Sequence, residues 1–342
     1  MNYKVNIGII GCGYWGSNLI RNFNSIKNVQ ILSVCDIDSK KLKPLKHRYN
    51  LRKIYNNYRY MLKDIKLDAV VISTPAITHY RITKEALRQG KHVLVEKPMA
   101  VDSKQAIELI ELSKKVKKTL MVGHTFLFNP AVNKIKEIIC KGDLGRLYYI
   151  HARRTNLGPI RFDVNALWDL APHDVSIINY LLGSMPNEVS AEAIRFLPHK
   201  LEDVGFIILR YVNSIIAHIH VSWLDPKKVR EMTIIGSRKM VVYDDTDIDT
   251  PIRIYDKNLM EKRYRKSYYT FKEFKSIVKN GKCDKPKLDI QEPLMIECQH
   301  FIDCIINNKR PLTDGYEGLN IIKVMEAIDK SSRSNNKAVK IE

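Results

Sequence analysis

The stretch KVNIGIIGCGYWGSNLIRNFNSI, residues 4–26, constrains the fold more than any other. Its first half is a short β-branched apolar run, the pattern of a strand buried on both faces. Its second half places Leu19, Ile20, Phe23 and Ile26 on one side of a helix. Between them, Gly11, Gly13 and Gly16 stand at G-x-G-x-x-G spacing, flanking Tyr14 and Trp15. A second apolar run, VQILSVCD, ends on Asp36, 20 residues past the third glycine. Strand, glycine turn, helix, strand and terminal acid form the dinucleotide-binding fingerprint. Gly11 serves the tight turn, Gly13 the close approach of a pyrophosphate and Gly16 the packing of helix on sheet. The helix N-terminus then faces the phosphates. Asp36 accepts from the adenosine ribose hydroxyls and repels a 2′-phosphate, which favours NAD over NADP; Ser39, Lys40 and Lys41 could soften that preference.

The alternation continues. LDAVVIST (67–74) reads as a strand, THYRITKEALRQG (78–90) as a helix, KHVLVE (91–96) as a strand, SKQAIELIELSKKV (103–116) as a helix and TLMVGHTF (119–126) as a strand. This pitch implies a doubly wound parallel sheet, whose ligands sit at the carboxyl ends of the strands. Ser73, Thr74, Pro75, Glu96, Lys97, Pro98 and His124 all fall at such ends. Ser73, Thr74, Pro75, His79, Glu96 and Lys97 are therefore expected to join the glycine loop and Asp36 around the cofactor. The remainder reads differently. A helix at 129–145, a strand at 146–155 and a helix near 170–182 precede a row of strands between 188 and 244, and two helices near 292–308 and 318–332 follow. Strands joined by short turns argue for an open, mostly antiparallel sheet with helices on one face. The expectation is a Rossmann domain over 1–126 and an α+β domain for substrate binding and oligomerisation over 127–342, with a loop at about 257–290 carrying a short helix around Tyr269–Lys279.

In ALWDLAPHDVSIINYLLG, Asp169 and His173 stand four apart and share one helix face. Pro172 between them is expected only in the first helical turn, which puts the pair at a helix start; the plain alternative is that Asp169 caps the helix and His173 packs beneath it. GIIGCGYWG, VVISTPAITHYRITKEALRQGKHVLVEKPMA, VGHTFLFNPAV and WDLAPHDVSIINYLLG together resemble the glucose–fructose oxidoreductase/inositol dehydrogenase family (Gfo/Idh/MocA) over nearly the whole chain. The E-K-P tripeptide and the D-x-x-x-H pair carry the resemblance most specifically. It implies that Lys97, Asp169 and His173 form the catalytic group and that Lys97–Pro98 is a cis peptide. His173 would take the proton of a sugar or cyclitol hydroxyl while hydride leaves for NAD, with Lys97 steadying the alkoxide and Asp169 orienting His173 or the substrate. Beside the ammonium, His173 is expected to be neutral near pH 7. His124, Phe126, Asn129, Arg154, Asn156 and Trp168 join these three as expected substrate contacts. The chain departs from many relatives in having VNALW, ending on Trp168, where they carry glycines, and in inserting Pro172; both bear on the substrate rather than on the reaction type.

The segment RRTNLGPIR offers Arg153, Arg154, Asn156 and Arg161 as a clamp for phosphate or carboxylate, or as a basic surface. It resembles members found with nucleotide-sugar or surface-polysaccharide biosynthesis, which implies oxidation at C3 of a UDP-type amino sugar or uronate; free inositol or aldose is the alternative, and a non-catalytic NAD-binding sensor a further one. Composition matters at one point. The formal charge is +20, yet the lysines are interspersed with apolar and turn residues and no nucleic-acid motif is present, so a solvated basic surface is the reading and neither nucleic acid nor membrane is an expected partner. The six cysteines form no C-x-x-C pair and are read as reduced thiols, with no metal site; His218 and His220 alternate on one strand without a third ligand. With no signal-like or spanning segment, a cytoplasmic protein is expected. The open sheet must cover its apolar face, so a homodimer or homotetramer through that sheet is expected.

Overall fold

The computed structural model describes residues 4–259, 278–289 and 291–341. They divide into two compact units. The first comprises Met1–Phe128 with Gln291–Lys323, the second Asn129–Ile290 with Val324–Glu342. The expected single boundary after residue 126 misses the return of 291–323 to the first unit. The reason is packing: the face of helix Pro293–Ile306 that carries Leu294, Cys298, Phe301 and Ile302 joins the core cluster of Val5, Ile7, Leu19 and Phe23. Phe301 meets Phe23 edge to face at 6.4 Å.

The first unit is built on six parallel strands, β1 (Val5–Ile10), β2 (Val29–Cys35), β3 (Lys53–Tyr55), β4 (Ala69–Ile72), β5 (His92–Glu96) and β6 (Leu120–Gly123), in the order β3-β2-β1-β4-β5-β6. The order reverses at β1, and the crevice there is where a doubly wound sheet takes its ligand. Helices α1 (Tyr14–Asn24), α2 (Ser39–Arg48), α3 (Tyr58–Leu62), α4 (Ala76–Arg88) and α5 (Ser103–Lys115) complete the alternation. Helix α1 buries Leu19, Ile20 and Phe23, each worth about 1.5–3 kcal/mol of transfer free energy. Lys97–Pro98 is cis, as the E-K-P resemblance implies, and Gly158–Pro159 is cis as well.

The second unit carries helices α6 (Pro130–Cys140) and α7 (Ala166–Leu182) and a sheet of nine strands among the described residues. Its strands are β7 (Leu147–Leu157), β8 (Glu188–Ile194), β9 (Val204–Arg210), β10 (Ile216–Ser222), β11 (Leu224–Gly236), β12 (Met240–Asp244), β13 (Ile252–Leu259), β14 (Val278–Asp284) and β15 (Val339–Lys340), ordered β14-β13-β12-β11-β7-β10-β9-β8-β15. Only β7 and β10 pair in parallel; the other pairings are antiparallel. Period two divides the faces. Ala217, Ile219 and Val221 of β10 are buried, while Ile216, His218 and His220 point to the open side. There His218 stacks on His151 and His220 on Phe206.

Three local expectations change. Helix α7 begins at Ala166, capped by the Asn165 side chain on Trp168 N, so Asp169 is not its cap and Pro172 lies at the seventh helical position. The missing proline N–H leaves the Trp168 carbonyl without its helical donor. Residues 252–259 and 278–284 are strands rather than loop, so Val278 and Lys279 belong to β14 and not to a helix; the rest of the Tyr269–Lys279 stretch lies outside the described residues. After α8 (Pro293–Ile306), the chain passes from the first unit back to the second within α9 (Gly315–Ser332), between Lys323 and Val324.

Candidate active site

In the first unit, the carboxyl ends of β1, β4, β5 and β6 gather the expected cofactor residues. Gly11 has φ +91°, and a Cβ there would lie 2.7 Å from the Ser73 backbone; one on Gly16 would lie 2.0 Å from the Gly11 carbonyl oxygen. Both positions therefore exclude side chains. Gly13 differs, since a Cβ would meet nothing within 4 Å. Gly13 is the N-cap of α1, with no side-chain cap and no acid in the first turn. The open N–H groups above an empty approach suit a pyrophosphate. Ser73 Oγ donates to the Gly11 carbonyl oxygen at 2.9 Å, and Thr74 is tied to Thr78 at 2.6 Å. Pro75 caps α4. Asp36 is buried; its Oδ2 accepts from Cys12 N at 2.7 Å and its Oδ1 from Asp38 N at 2.9 Å, so it braces the glycine loop from the tip of β2. These residues fit a dinucleotide.

His79, expected at the cofactor, is held between two loop carbonyls. It is 1% exposed, and its Nδ1 and Nε2 face the carbonyl oxygens of Pro98 and Thr74, each at 2.7 Å. The ring clamps the loop after β4 to the loop after β5. Burial holds its pKa below the ordinary value, and a neutral imidazole donates to one of the two carbonyls.

At the tip of β5, Glu96 accepts from Trp15 Nε1, and Trp15 stacks on the exposed Tyr14 at 6.2 Å. Lys97 follows directly. Burial raises the Glu96 pKa, against the opposing pull of Lys97 and Trp15. His124, at the end of β6, is 3% exposed; burial and the Lys97 charge press its pKa down to about 3, so it is a neutral ring. Its Nδ1 is buried without a hydrogen-bond partner among the described residues. Phe126 is half-buried in the short 3-10 turn Thr125–Phe128 that follows.

In the second unit, Asp169 stands in the first turn of α7 and accepts from Arg161 Nη1 at 3.0 Å. His173 lies one turn on. Trp168, expected to shape the substrate pocket, donates its indole N–H to Asp329 at 2.8 Å. A cavity of about 530 Å³ is lined by Asn156, Pro159, Asp169, Trp223, Lys228 and Arg230, among others. Two expected substrate contacts are engaged within the fold. Arg154 is 3% exposed and donates through Nε and Nη2 to Asp174 at 2.8 and 3.0 Å. The alternation of β7 turns Arg154 to the same buried side as Ile150 and Ala152, so its fork is closed on a carboxylate rather than offered as a clamp. Asn129 caps α6 through Ala131 N at 2.8 Å and donates to Tyr243 at 3.1 Å. Sequence reasoning missed Lys228 and Arg230 at the cavity and Glu297 in the first unit. Glu297 had a visible signal, since it shares a helix face with Leu294 and Phe301. Among the described residues no group of three potential ligands could hold a metal ion, and no helix is long and apolar enough to cross a membrane.

Residues 5–124 match the oxidoreductase family Gfo/Idh/MocA, NAD-binding Rossmann fold, and residues 132–242 match the C-terminal domain of the same family. The chain belongs to the Gfo/Idh/MocA oxidoreductase family. Its first unit is thus an NAD-binding Rossmann domain. An uncharacterized oxidoreductase, YrbE, of Bacillus subtilis is 29% identical over 212 residues, 60% of this chain and 62% of that protein, so the match spans less than two thirds of that relative. Myo-inositol 2-dehydrogenase of Thermotoga maritima is 23% identical over 301 residues, covering 82% of this chain and 90% of the relative. UDP-N-acetylglucosamine 3-dehydrogenase GnnA from Acidithiobacillus ferrooxidans shares the fold with a TM-score of 0.81 at 20% identity, over 97% of this chain and 98% of that one.

Proposed function

We propose that this Gfo/Idh/MocA member is an NAD-dependent dehydrogenase that oxidises a secondary alcohol of a nucleotide-linked sugar of the UDP type, at C3. The observation that carries the substrate reading is the cavity beside Asp169, whose lining includes two cationic side chains, Lys228 and Arg230, the latter paired with Asp245 at 3.1 Å. A neutral cyclitol has no use for them, whereas a diphosphate or uronate does. The fold shared with a UDP-N-acetylglucosamine 3-dehydrogenase supports the same choice.

In this reading Gly11, Gly13, Gly16 and Asp36 hold the dinucleotide. When bound, NAD takes up two electrons and the hydrogen of the carbinol carbon. His173 takes the hydroxyl proton. Lys97 donates a hydrogen bond to the same oxygen and stabilises the charge that grows on it. Asp169, held by Arg161, orients His173 or a neighbouring sugar hydroxyl. Glu96 supports the ammonium of Lys97 from the tip of β5. The chain pairs with a second copy through the open face of its large sheet, where Tyr149, Phe206 and Ile216 are 49%, 39% and 44% exposed. The site of action is the cytoplasm.

The test is formation of reduced nicotinamide, followed by absorbance, with UDP-linked amino sugars and uronates, free aldoses and inositols as substrates. The expected result is turnover of a UDP sugar, a loss of about 10²–10³-fold in Lys97→Ala, and a raised KM with unchanged kcat in Lys228→Ala. Turnover confined to inositols would favour the second reading, which the match to myo-inositol 2-dehydrogenase over 82% of the chain supports. NAD binding without turnover of any sugar would identify a sensor.

A further inference from the structure

The first unit contains a buried carboxyl that the chemistry above does not use. Glu297 has 0% exposure on α8. Its Oε2 accepts from Thr125 Oγ1 at 2.7 Å, while Oε1 is buried with no hydrogen-bond partner among the described residues. Thr125 directly follows His124, so Glu297 pins the turn that leaves β6. The neighbouring carboxyl is Glu96. Strand pairing sets Glu96 opposite Gly123, and a Cβ on Gly123 would lie 3.1 Å from the Glu96 carboxyl carbon. Glycine at 123 therefore leaves room for that carboxyl to fold over β6, and its charge is felt by Glu297 and Cys298.

The charged and titratable groups around this pair are few. Lys97 directly follows β5, His124 directly follows β6 and Cys298 is next to Glu297 on α8. Arg21 and Glu292, at the start of α8, pair with each other at 2.6 Å. Lys97 acts on Glu96 and on His124. An uncompensated carboxylate at this depth is strongly disfavoured and takes up a proton. Two carboxyls that feel each other titrate as a unit, and the more deeply buried one keeps its proton longer.

We propose that Glu297 is a positioning residue which holds a proton through the working pH range, so that the Glu96–Glu297 pair never bears more than one negative charge, and that charge, when present, sits on Glu96 beside Lys97. Burial and the Glu96 charge both push Glu297 in that direction. Glu297 acts through two others. It keeps Glu96 as a lone counter-ion for Lys97, and it fixes the Thr125 turn that carries His124. The inference rests on the reading of Lys97 as the group at the reacting oxygen, and the two arms of its test separate the two claims.

The first arm is infrared spectroscopy of the full chain in D₂O, without substrate. The carbonyl stretch of a protonated carboxylic acid is expected to persist well above the ordinary carboxylate range, to remain in Glu96→Gln and to vanish in Glu297→Gln. A wild-type spectrum without that band overturns the proposal, whatever the activity, and needs no variant to fold. The second arm is the pH–rate profile. Glu297→Leu, which deprives Thr125 of its acceptor, is expected to lower kcat about tenfold. Glu297→Gln, a neutral isostere of the protonated acid, is expected to rescue it with both limbs at their wild-type pH. Glu96→Gln, which removes the anion beside Lys97, is expected to move the limb governed by Lys97 toward acid. A Glu297→Gln profile displaced by about one pH unit or more, the response to deleting a charge, overturns the proposal.

Discussion

Arg154 provides a sharp test of whether a basic residue beside the site binds substrate or holds the fold. It and Asp174 are each 3% exposed and joined by a two-bond fork. Removing one partner leaves the other charge buried and uncompensated, which costs about 3–5 kcal/mol. For a unit of this size each kcal/mol is worth about 2–4 °C, so Arg154→Met is expected to lower Tm by roughly 6–20 °C. Asp174→Leu alone should cost a similar amount. The double variant Arg154→Met/Asp174→Leu leaves no orphaned charge and is expected to recover most of the loss, since an apolar pair of similar volume is often neutral or stabilising. Thermal unfolding of the four proteins closes a double-mutant cycle, with a coupling energy expected on the order of 3 kcal/mol. KM for the sugar, measured below the unfolding range, should stay within about threefold of wild type in the double variant. An Arg154→Met protein of wild-type Tm with a sharply raised KM would refute the argument and restore Arg154 as a clamp.

Gly16→Ala should abolish NAD binding and lower stability, because its methyl would lie 2.0 Å from the Gly11 carbonyl oxygen; Gly13→Ala should fold normally and weaken only the dinucleotide, since its methyl meets open space, and a titration of NADH fluorescence with parallel unfolding separates the two. His124 is held neutral with a pKa of about 3 against an ordinary 6.5, so the native state binds fewer protons than the unfolded chain and stability falls as pH drops between those values. His124→Gln should flatten that acid loss, worth on the order of 5 kcal/mol at full depth, in unfolding measured across pH. Glu297 has the opposite sign: a raised carboxyl pKa lends stability that is complete below the ordinary carboxyl range and is lost as pH rises from there toward the raised native value. Glu297→Gln should remove that slope. Trp168→Phe deletes the donor to Asp329 and should cost about 1.5–3 kcal/mol.

Much of the Rossmann unit was legible because its signals are local. A buried strand, a glycine turn and a helical stripe are written in neighbouring residues, and the tip of each strand follows from where its apolar run stops. Helix α2 was less plain, because Pro44 and a run of lysines interrupt its apolar stripe, leaving Leu42 as its buried residue. Strand β14, VKNGKCD, has almost no apolar alternation and forms by pairing with β13. The helix start at Ala166 was displaced in the reading by Pro172, which propensity confines to a first turn but which α7 carries deeper.

The sequence alone determined the dinucleotide loop, the acid at the end of β2, the E-K-P tip of β5 and the Asp169–His173 spacing on one helix face. Each depends on residues within a turn or two of one another, where covalent geometry and periodicity suffice. Only the tertiary structure decided that His79 clamps two loops, that Asn129 and Arg154 are spent on the fold, and that Glu297 meets Thr125 from 172 positions away. A polar side chain takes its role from what lies opposite it, and burial sets whether it is charged; neither partner nor depth is encoded in its own neighbourhood.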